Sequence, residues 1–385
     1  MRTFGDGMVS IGIAQYAVTL GLSGFEAGAI ASAALIGTSL TTLLVGQYVE
    51  RLGRRRVLIW GAFLTILTGI GYASSASFWP LLVVAFLGTV NPTSGDVSAF
   101  LPVEQAILAQ SGGPGPRVRT FAWFNVAGSL AGAAGALVSG ATVLLDDFPG
   151  LGPAGAVRCL FALYAALGVA TLAVFLALGP GIELARGSPR GGLGPSRRRV
   201  FTLSGLFASD SFAGGLVVQS IVALYLFREF HLDPAVTGAV FFGTSVMSAV
   251  SFLVSARLAT RFGLVNTMVF THLPANAFLV GVAFAPNAAV AVAFLLLRSM
   301  LSQMDVPPRQ ALVVSVVQPE ERASAAAITG LSRSVAASAA PSVGGALLAT
   351  GFAGAPFVAC AALKSGYDLA LLALFGKVPT GEERA

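Results

Sequence analysis

Residues Gly46–Arg56, with the sequence GQYVERLGRRR, separate two apolar segments that are each long enough to cross a lipid bilayer. Four of these residues are arginines, and only Glu50 is acidic. Short arginine-rich loops between membrane helices stay on the cytoplasmic side. The stretch therefore predicts a helical hairpin in the membrane with a cytoplasmic turn.

Composition indicates the same class of protein for the whole chain. Of 385 residues, 55% are hydrophobic and only 10% are charged, whereas soluble domains carry about 25% charged residues. The apolar runs last about 20 residues, which fits membrane helices and excludes the alternating ten-residue strands of a β-barrel. We predict an all-α polytopic membrane protein, and its 46 glycines suit closely packed helices.

Charge and cysteine usage exclude other classes of function. The net charge of +6 comes from arginines spread over short loops, so we expect no nucleic-acid partner. Cys159 and Cys360 lie in apolar stretches, where we expect small buried thiols rather than a disulfide or a metal site.

Twelve apolar segments can be drawn, and the loops between them alternate in charge. Lysine and arginine are concentrated in every second loop, which places both termini in the cytoplasm. Residues 180–200 form a linker rich in Gly, Pro and Arg between a bundle over 1–179 and a bundle over 201–385. The predicted spans are 3–22, 27–49, 57–76, 79–103, 119–143, 156–178, 201–227, 235–256, 264–285, 287–306, 324–349 and 355–376.

The two halves of the chain repeat one another weakly but in the same order. Asp6 and Gln15 in span 1 recur as Asp210 and Gln219 in span 7, each pair separated by 204 positions. The turn that ends at Gly53 recurs, without its acid, in the turn between spans 8 and 9. The pattern indicates a duplicated six-helix unit.

The loop between spans 2 and 3 also closely resembles a motif of the major facilitator superfamily (MFS) of secondary transporters, G-x-x-x-[DE]-R-x-G-R-[RK]. The resemblance implies the MFS fold, in which 12 transmembrane helices form two pseudo-symmetric six-helix bundles, and transport by alternating access without a cofactor or catalytic residue. The matching residues are Gly46, Glu50, Arg51, Gly53, Arg54 and Arg55.

Carboxylates inside membrane spans are candidates for carrying a coupling proton, because a charge in a bilayer is expensive. Asp6, Asp96, Asp210 and Asp305 are such residues. Each can instead be a structural group that pairs with a neighbouring helix. Asp96 and Asp305 lie beside prolines, at Pro92 and Pro307-Pro308, where we expect spans 4 and 10 to bend or break and the Asp305–Arg309 turn to be interrupted.

Other polar side chains are candidates for binding the substrate. Gln15 and Gln219 lie near the middle of the membrane and can bind substrate or make interhelical amide contacts. Arg298 and Arg333 are candidates for binding an anion, and Gln303 for adding polar lining. Lys364 and Asp368, one helical turn apart, are expected to neutralise each other.

A conformational gate is predicted at the cytoplasmic ends of the helices. Glu104 follows span 4 and is expected to pair with Arg51, Arg54 or Arg55. Glu50 and Arg51 are expected to help hold the cytoplasmic side closed against Glu104 and the N-terminus of span 11.

The function predicted from these features is proton-coupled export of a small organic compound. Uptake or facilitated diffusion of a polar or anionic metabolite is the alternative, and a transporter-like sensor or scaffold is a third. We expect a monomer in the bacterial cytoplasmic membrane, with the lipid bilayer, a small-molecule substrate and a proton or other coupling ion as partners. We expect no metal.

Overall fold

The protein is described by a computed structural model over residues 1–93, 103–104, 107, 117–146, 148–179, 194–318 and 321–376. The regular elements of this part are helices. They are α1 (Arg2–Thr19), α2 (Gly24–Leu52), α3 (Arg54–Ser74), α4 (Phe78–Leu87), α5 (Arg117–Ser139), α6 (Val143–Asp146), α7 (Gly152–Ala177), α8 (Arg197–Gly215), α9 (Gln219–Glu229), α10 (Pro234–Phe262), α11 (Leu264–Ala283), α12 (Ala288–Ser302), α13 (Val306–Ser315), α14 (Arg322–Leu348) and α15 (Ala355–Phe375).

Nine helical segments of the described residues are long and apolar enough to cross a membrane. One of them combines α8 with α9, and another combines α12 with most of α13. Helices α1, α4 and α14 lie outside this set and correspond to predicted spans 1, 4 and 11. The described helices are thus consistent with twelve spans.

The chain forms two compact units. Unit 1 comprises Met1–Gly187 and Val218–Phe242. Within it α1 packs against α5, α7 and α9, and α3 packs against α7. Glycine permits these close approaches: a Cβ atom at Gly135 would collide with the backbone oxygen of Phe4.

Unit 2 comprises Ser188–Val217 and Gly243–Ala385. Within it α8 packs against α14 and α15, and α11 packs against α12, α13 and α15. A fully buried apolar cluster that includes Leu203, Met268, Leu312 and Leu371 fills the space between these helices. The ionic side chains described below lie on the same helices.

Two helix–helix turns lie at positions that the predicted repeat relates. Gly53, between α2 and α3, has φ +88°, and Gly263, between α10 and α11, has φ +84°. Only glycine adopts this conformation without strain. The two turns therefore share a backbone geometry although the second has lost the acidic residue.

Within the described residues, three predicted spans leave the α-helix. In span 4, helix α4 ends at Leu87 and residues 88–93 are not helical, in line with the expected break near Pro92. Span 10 breaks at Gln303–Asp305, between α12 and α13, as the prolines predict. Span 7, which the sequence predicts to be continuous, breaks at Leu216–Val218 between α8 and α9. Backbone groups freed by such breaks need new partners: the hydroxyl of Ser255 donates to the carbonyl of Met304 at 2.6 Å.

The expectation of buried thiols is correct for one cysteine and wrong for the other. Cys360 is buried within unit 2, whereas Cys159 is exposed on the surface of α7. Cys159 is an apolar helix residue on a face that other described helices leave uncovered.

Candidate functional site

Unit 2 contains a cluster of ionisable side chains, which we call the ionic cluster: Asp210, His272, Asp305, Arg309, Lys364 and Asp368. The three carboxylates come from α8, the α12–α13 turn and α15, and each is at most 3% exposed. Buried charges persist in a membrane protein only when they are paired or functional. The pairing therefore decides what the cluster can do.

Asp210 is held by two permanent cations. Lys364 Nζ lies 2.5 Å from one carboxylate oxygen, and Arg309 Nη1 lies 3.3 Å from the other. The same Arg309 nitrogen lies 2.8 Å from Asp305. Arg309 thus links the carboxylate of span 7 to the carboxylate at the break in span 10.

The expected interruption between Asp305 and Arg309 is wrong. Pro307 and Pro308 occupy the first turn of α13, where a missing N–H breaks no helical hydrogen bond. The amide of Arg309 donates to the carbonyl of Asp305 at 2.9 Å. The turn is intact, so the two side chains meet.

His272 on α11 joins the other two carboxylates, an arrangement we call the His272 bridge. Its Nε2 atom lies 3.3 Å from Asp305 Oδ1, and its Nδ1 atom lies 3.1 Å from Asp368 Oδ1. Asn276, one turn further along α11, donates to the second oxygen of Asp368 at 3.0 Å. The carboxylate of Asp368 is therefore fixed by two polar residues of one helix.

The expected pair of Lys364 with Asp368 is also wrong. Lys364 binds Asp210 on α8, and Asp368 binds His272 and Asn276 on α11. The side chains diverge because each finds a partner on a different neighbouring helix. Sequence reasoning missed His272, although an imidazole and an amide spaced one turn apart in an apolar span were a usable signal.

Arg298 and Arg333 are partly buried residues of α12 and α14. Arg333 donates from Nε to the hydroxyl of Ser211 at 3.0 Å. Neither arginine forms an ion pair with a carboxylate of the described residues. Gln303 is the residue that ends α12 at the break of span 10. Both arginines stay candidates for binding an anion.

Unit 1 has a smaller ionic group at the pseudo-equivalent place. Arg2 contacts Asp6 at 3.3 Å and Glu104 at 2.9 Å. The partner of Glu104 in the described contacts is thus Arg2, which the sequence interpretation did not consider. Arg2 and Glu104 are each about one-fifth exposed and line a small cavity of about 40 Å³ together with Tyr164. Asp6 itself is buried.

The two glutamines belong to unit 1. Gln15 donates from Nε2 to the carbonyl of Ser139 at 3.1 Å, which is the interhelical amide contact given as one of its two interpretations. Its Oε1 atom and the Nε2 atom of Gln219 are buried and have no hydrogen-bond partner among the described residues. These two atoms remain candidates for binding a polar substrate.

The predicted gate is described only in part. Gly53 forms the α2–α3 turn, Arg54 is buried, and Arg55 donates to the carbonyl of Leu176 at 2.7 Å near the end of α7. The side chains of Glu50 and Arg51 lie outside the described residues. Gly46 belongs to α2, and nothing more is described of it. Asp96 lies entirely outside the described residues.

The ionic cluster is not arranged as a metal site. Over the ranges that the structure describes, no group of three or more His, Cys, Asp and Glu residues is placed to hold a metal ion. Three carboxylates, an imidazole and two cations in contact can exchange protons and redistribute their ion pairs.

Known proteins resemble this chain over most of its length. The family model described as Major Facilitator Superfamily matches residues 1–341 and 203–384. An uncharacterised membrane protein of Saccharomyces cerevisiae is 24% identical over 409 residues, covering 96% of this chain and 91% of its own.

Solved structures show the same fold. The xylose transporter XylE from E. coli aligns with a TM-score of 0.71 at 15% identity, over 98% of this chain and 95% of its own. The human organic anion transporter MFSD10 aligns with a TM-score of 0.63 at 19% identity, over 94% and 89%.

Proposed function

The chain belongs to the Major Facilitator Superfamily and is a multi-pass membrane transporter, and from this premise we propose that it moves a small organic anion together with a proton. The observation that carries the proposal is the ionic cluster of unit 2, together with Arg298 and Arg333, which form no ion pair among the described residues. Transport would proceed by alternating access of the predicted bundles over 1–179 and 201–385, joined by the linker 180–200.

A proton is needed to balance the cluster. Its three carboxylates face two permanent cations, Arg309 and Lys364, so it is neutral only when it also holds one proton. An unbalanced charge at this degree of burial is costly. Taking up or losing a proton therefore changes the electrostatics of unit 2 by one full charge.

The substrate class follows from Arg298 and Arg333. When the cluster is neutral, no carboxylate in the described part of the chain pairs with either arginine, and an anionic group with two or more oxygens suits the guanidinium geometry. MFSD10, described as an organic anion transporter, is a structural neighbour in line with this class. XylE carries a sugar by its description, so uncharged substrates belong in the test.

The direction of coupling follows from the same charges. An anion binds beside the cluster more favourably when the cluster has taken up its proton. Proton and anion should therefore cross together, which favours uptake driven by an inward proton gradient. The sequence instead predicted export in exchange for protons. That mechanism requires protonation of the cluster to weaken substrate binding, so the experiment must distinguish it from coupled uptake.

The proposed site is tested by a thermal-shift screen at pH 6 and pH 8. The panel contains monocarboxylates, dicarboxylates, aryl sulfonates and phosphomonoesters, with sugars and nucleosides as uncharged comparisons. We expect stabilisation by an anion that is larger at pH 6. A charged hydrogen bond contributes about 1.5–3 kcal/mol, so Arg298→Gln and Arg333→Gln should each weaken binding about tenfold to a hundredfold.

The matched control is Arg198→Gln, which removes an arginine that is exposed on the first turn of α8. It should bind like the parent protein. Stabilisation by uncharged compounds alone, with both arginine variants unaffected, would show that the proposed substrate class is incorrect. An anion that binds more tightly at pH 8 would favour the exchange mechanism.

A further inference from the structure

We propose that the proton coupled to transport is held by the His272 bridge, between the imidazole of His272 and the carboxylates of Asp305 and Asp368. The inference rests on the proposed function and assigns the proton to a place that the sequence interpretation had only partly included. Of its proton candidates, only Asp305 belongs to the bridge.

The geometry of the bridge requires two protons. Each ring nitrogen of His272 lies within 3.3 Å of a carboxylate oxygen. A neutral imidazole has one N–H donor and one lone pair. A lone pair facing an ionised carboxylate would be repelled, so a proton must occupy each of the two contacts. The bridge as seen here therefore holds one proton more than a neutral imidazole between two carboxylates.

Two other described carboxylates, Asp210 and Asp6, contact permanent cations directly. Asp210 is satisfied by Lys364 and Arg309. Asp6 shares Arg2 with Glu104, but Arg2 and Glu104 are about one-fifth exposed, so water can solvate the excess charge. Asp305 and Asp368 are at most 3% exposed, so water cannot solvate their excess negative charge in the same way.

The groups facing His272 come from each helix packed against α11. From α15 they are Asp368 and Lys364, with the ring of Tyr367 at 6.4 Å. From the α12–α13 turn it is Asp305, at 3.3 Å. Arg309 of α13 binds the other oxygen of that carboxylate. Asp305 is tied to the permanent cation Arg309, whereas His272 and Asp368 can exchange a proton without leaving a permanent cation unpaired.

Release of the proton should be transmitted to the broken spans. The N–H bond on the side of Asp368 or Asp305 breaks, its electron pair stays on the nitrogen, and the proton passes to water. Asp305 then depends more strongly on Arg309, which it shares with Asp210. Because Asp305 and Asp210 share Arg309, a stronger Asp305–Arg309 ion pair weakens the Asp210–Arg309 ion pair. This competition links the break in span 10 to α8, the first half of span 7.

The proton count can be measured without a substrate. The chain has two histidines, and His231 is exposed, which makes it an internal reference. We would label histidine with ¹⁵N, place the protein in lipid nanodiscs, and record long-range ¹H–¹⁵N spectra from pH 5.5 to 8.5, with His231→Gln for assignment. Both nitrogens of His272 should be protonated at pH 5.5 and engaged in hydrogen bonds. A bare nitrogen on His272 at pH 5.5 would overturn the proposal.

The link to conformation is measured on the same protein. Spin labels at Leu52→Cys and Phe262→Cys, both exposed and next to the equivalent glycine turns, with Cys159 and Cys360 replaced by serine, report distance distributions against pH. One linked proton shifts a two-state population by up to about tenfold per pH unit.

We expect this pH response in the parent protein and in His231→Gln, and its loss in His272→Gln. A response in His272→Gln equal to that of the parent would overturn the inference, and so would a parent without any pH response. Neither outcome tests whether the protein transports an anion. The ligand screen and flux measurements in liposomes test that proposal separately.

Discussion

Replacing Lys364 by methionine removes one of the two cations that hold Asp210. Breaking a buried ion pair costs about 3–5 kcal/mol because the remaining charge is left without compensation. Asp210 keeps Arg309, and the Lys364 side chain is 13% exposed, so we expect the lower end, about 3 kcal/mol. Since 1 kcal/mol corresponds to about 2–4 °C in a large domain, the apparent Tm should fall by about 6–12 °C.

The second variant distinguishes charge balance from packing. Adding Asp210→Asn to Lys364→Met removes a negative charge together with the positive one, and the cluster regains its balance. The double variant should therefore recover most of the lost Tm, although the lysine stem is still missing. A double variant with additive losses would mean that packing, and not charge, explains the first result.

Unfolding is conveniently followed with a thiol-reactive dye. Cys360 is buried one turn before Lys364 on α15, so it reports unfolding of this region, while Cys159 is exposed and is replaced by serine in every variant. Arg198→Met serves as the control for loss of an exposed cation and should change the Tm by less than about 2 °C. A Lys364→Met protein with the Tm of its parent would refute the pairing described here.

Two further predictions concern the scaffold. Gly135→Ala should lower the apparent Tm, because the added Cβ would collide with a neighbouring backbone. Gly205→Ala on α8 is the control: an added Cβ there meets no atom within 4 Å, so the change should be neutral or stabilising by about 0.5–1 kcal/mol. Equal effects of the two substitutions would contradict the packing described for Gly135. Hydrogen bonds from Ser196 and from the amide of Gly194 hold the pKa of Glu321 below its ordinary value of 4.5. Its contribution is therefore present above pH 4.5 and lost as pH falls through the lowered pKa. Glu321→Gln should speed hydrogen exchange at residues 194–197 at pH 7, and unchanged exchange would show that this contact does not order the segment.

The fold was largely predictable because its determinants are local. Each determinant is visible within a few tens of residues. The determinants are the length of the apolar segments, the alternation of arginine between loops and the motif at Gly46–Arg56. The break in span 10 was visible from Pro307-Pro308. The break in span 7 was not, because it follows Gly214-Gly215 without a proline, and glycine pairs occur within intact helices elsewhere in this chain, as at Gly344-Gly345.

The sequence predicted several residues of the ionic cluster but not which of them form ion pairs with each other. Asp210 and Asp305 stand out as charges in apolar spans, but their partners lie up to 154 positions away. Spacing within one helix suggested Lys364 with Asp368, and tertiary packing gave each a partner on another helix. His272 was missed because an uncharged imidazole adds nothing to a count of formal charges, although it can carry a proton at physiological pH.

Proton movement driven by the anion tests the account most directly. The protein would be reconstituted into liposomes that contain a fluorescent pH indicator, and the anion that binds best in the screen would be added outside. We predict that the interior acidifies as anion and proton enter together, and that Asp305→Asn liposomes behave like protein-free liposomes. An interior that becomes more alkaline, or no difference between the parent protein and empty liposomes, would contradict coupled entry of a proton and an anion.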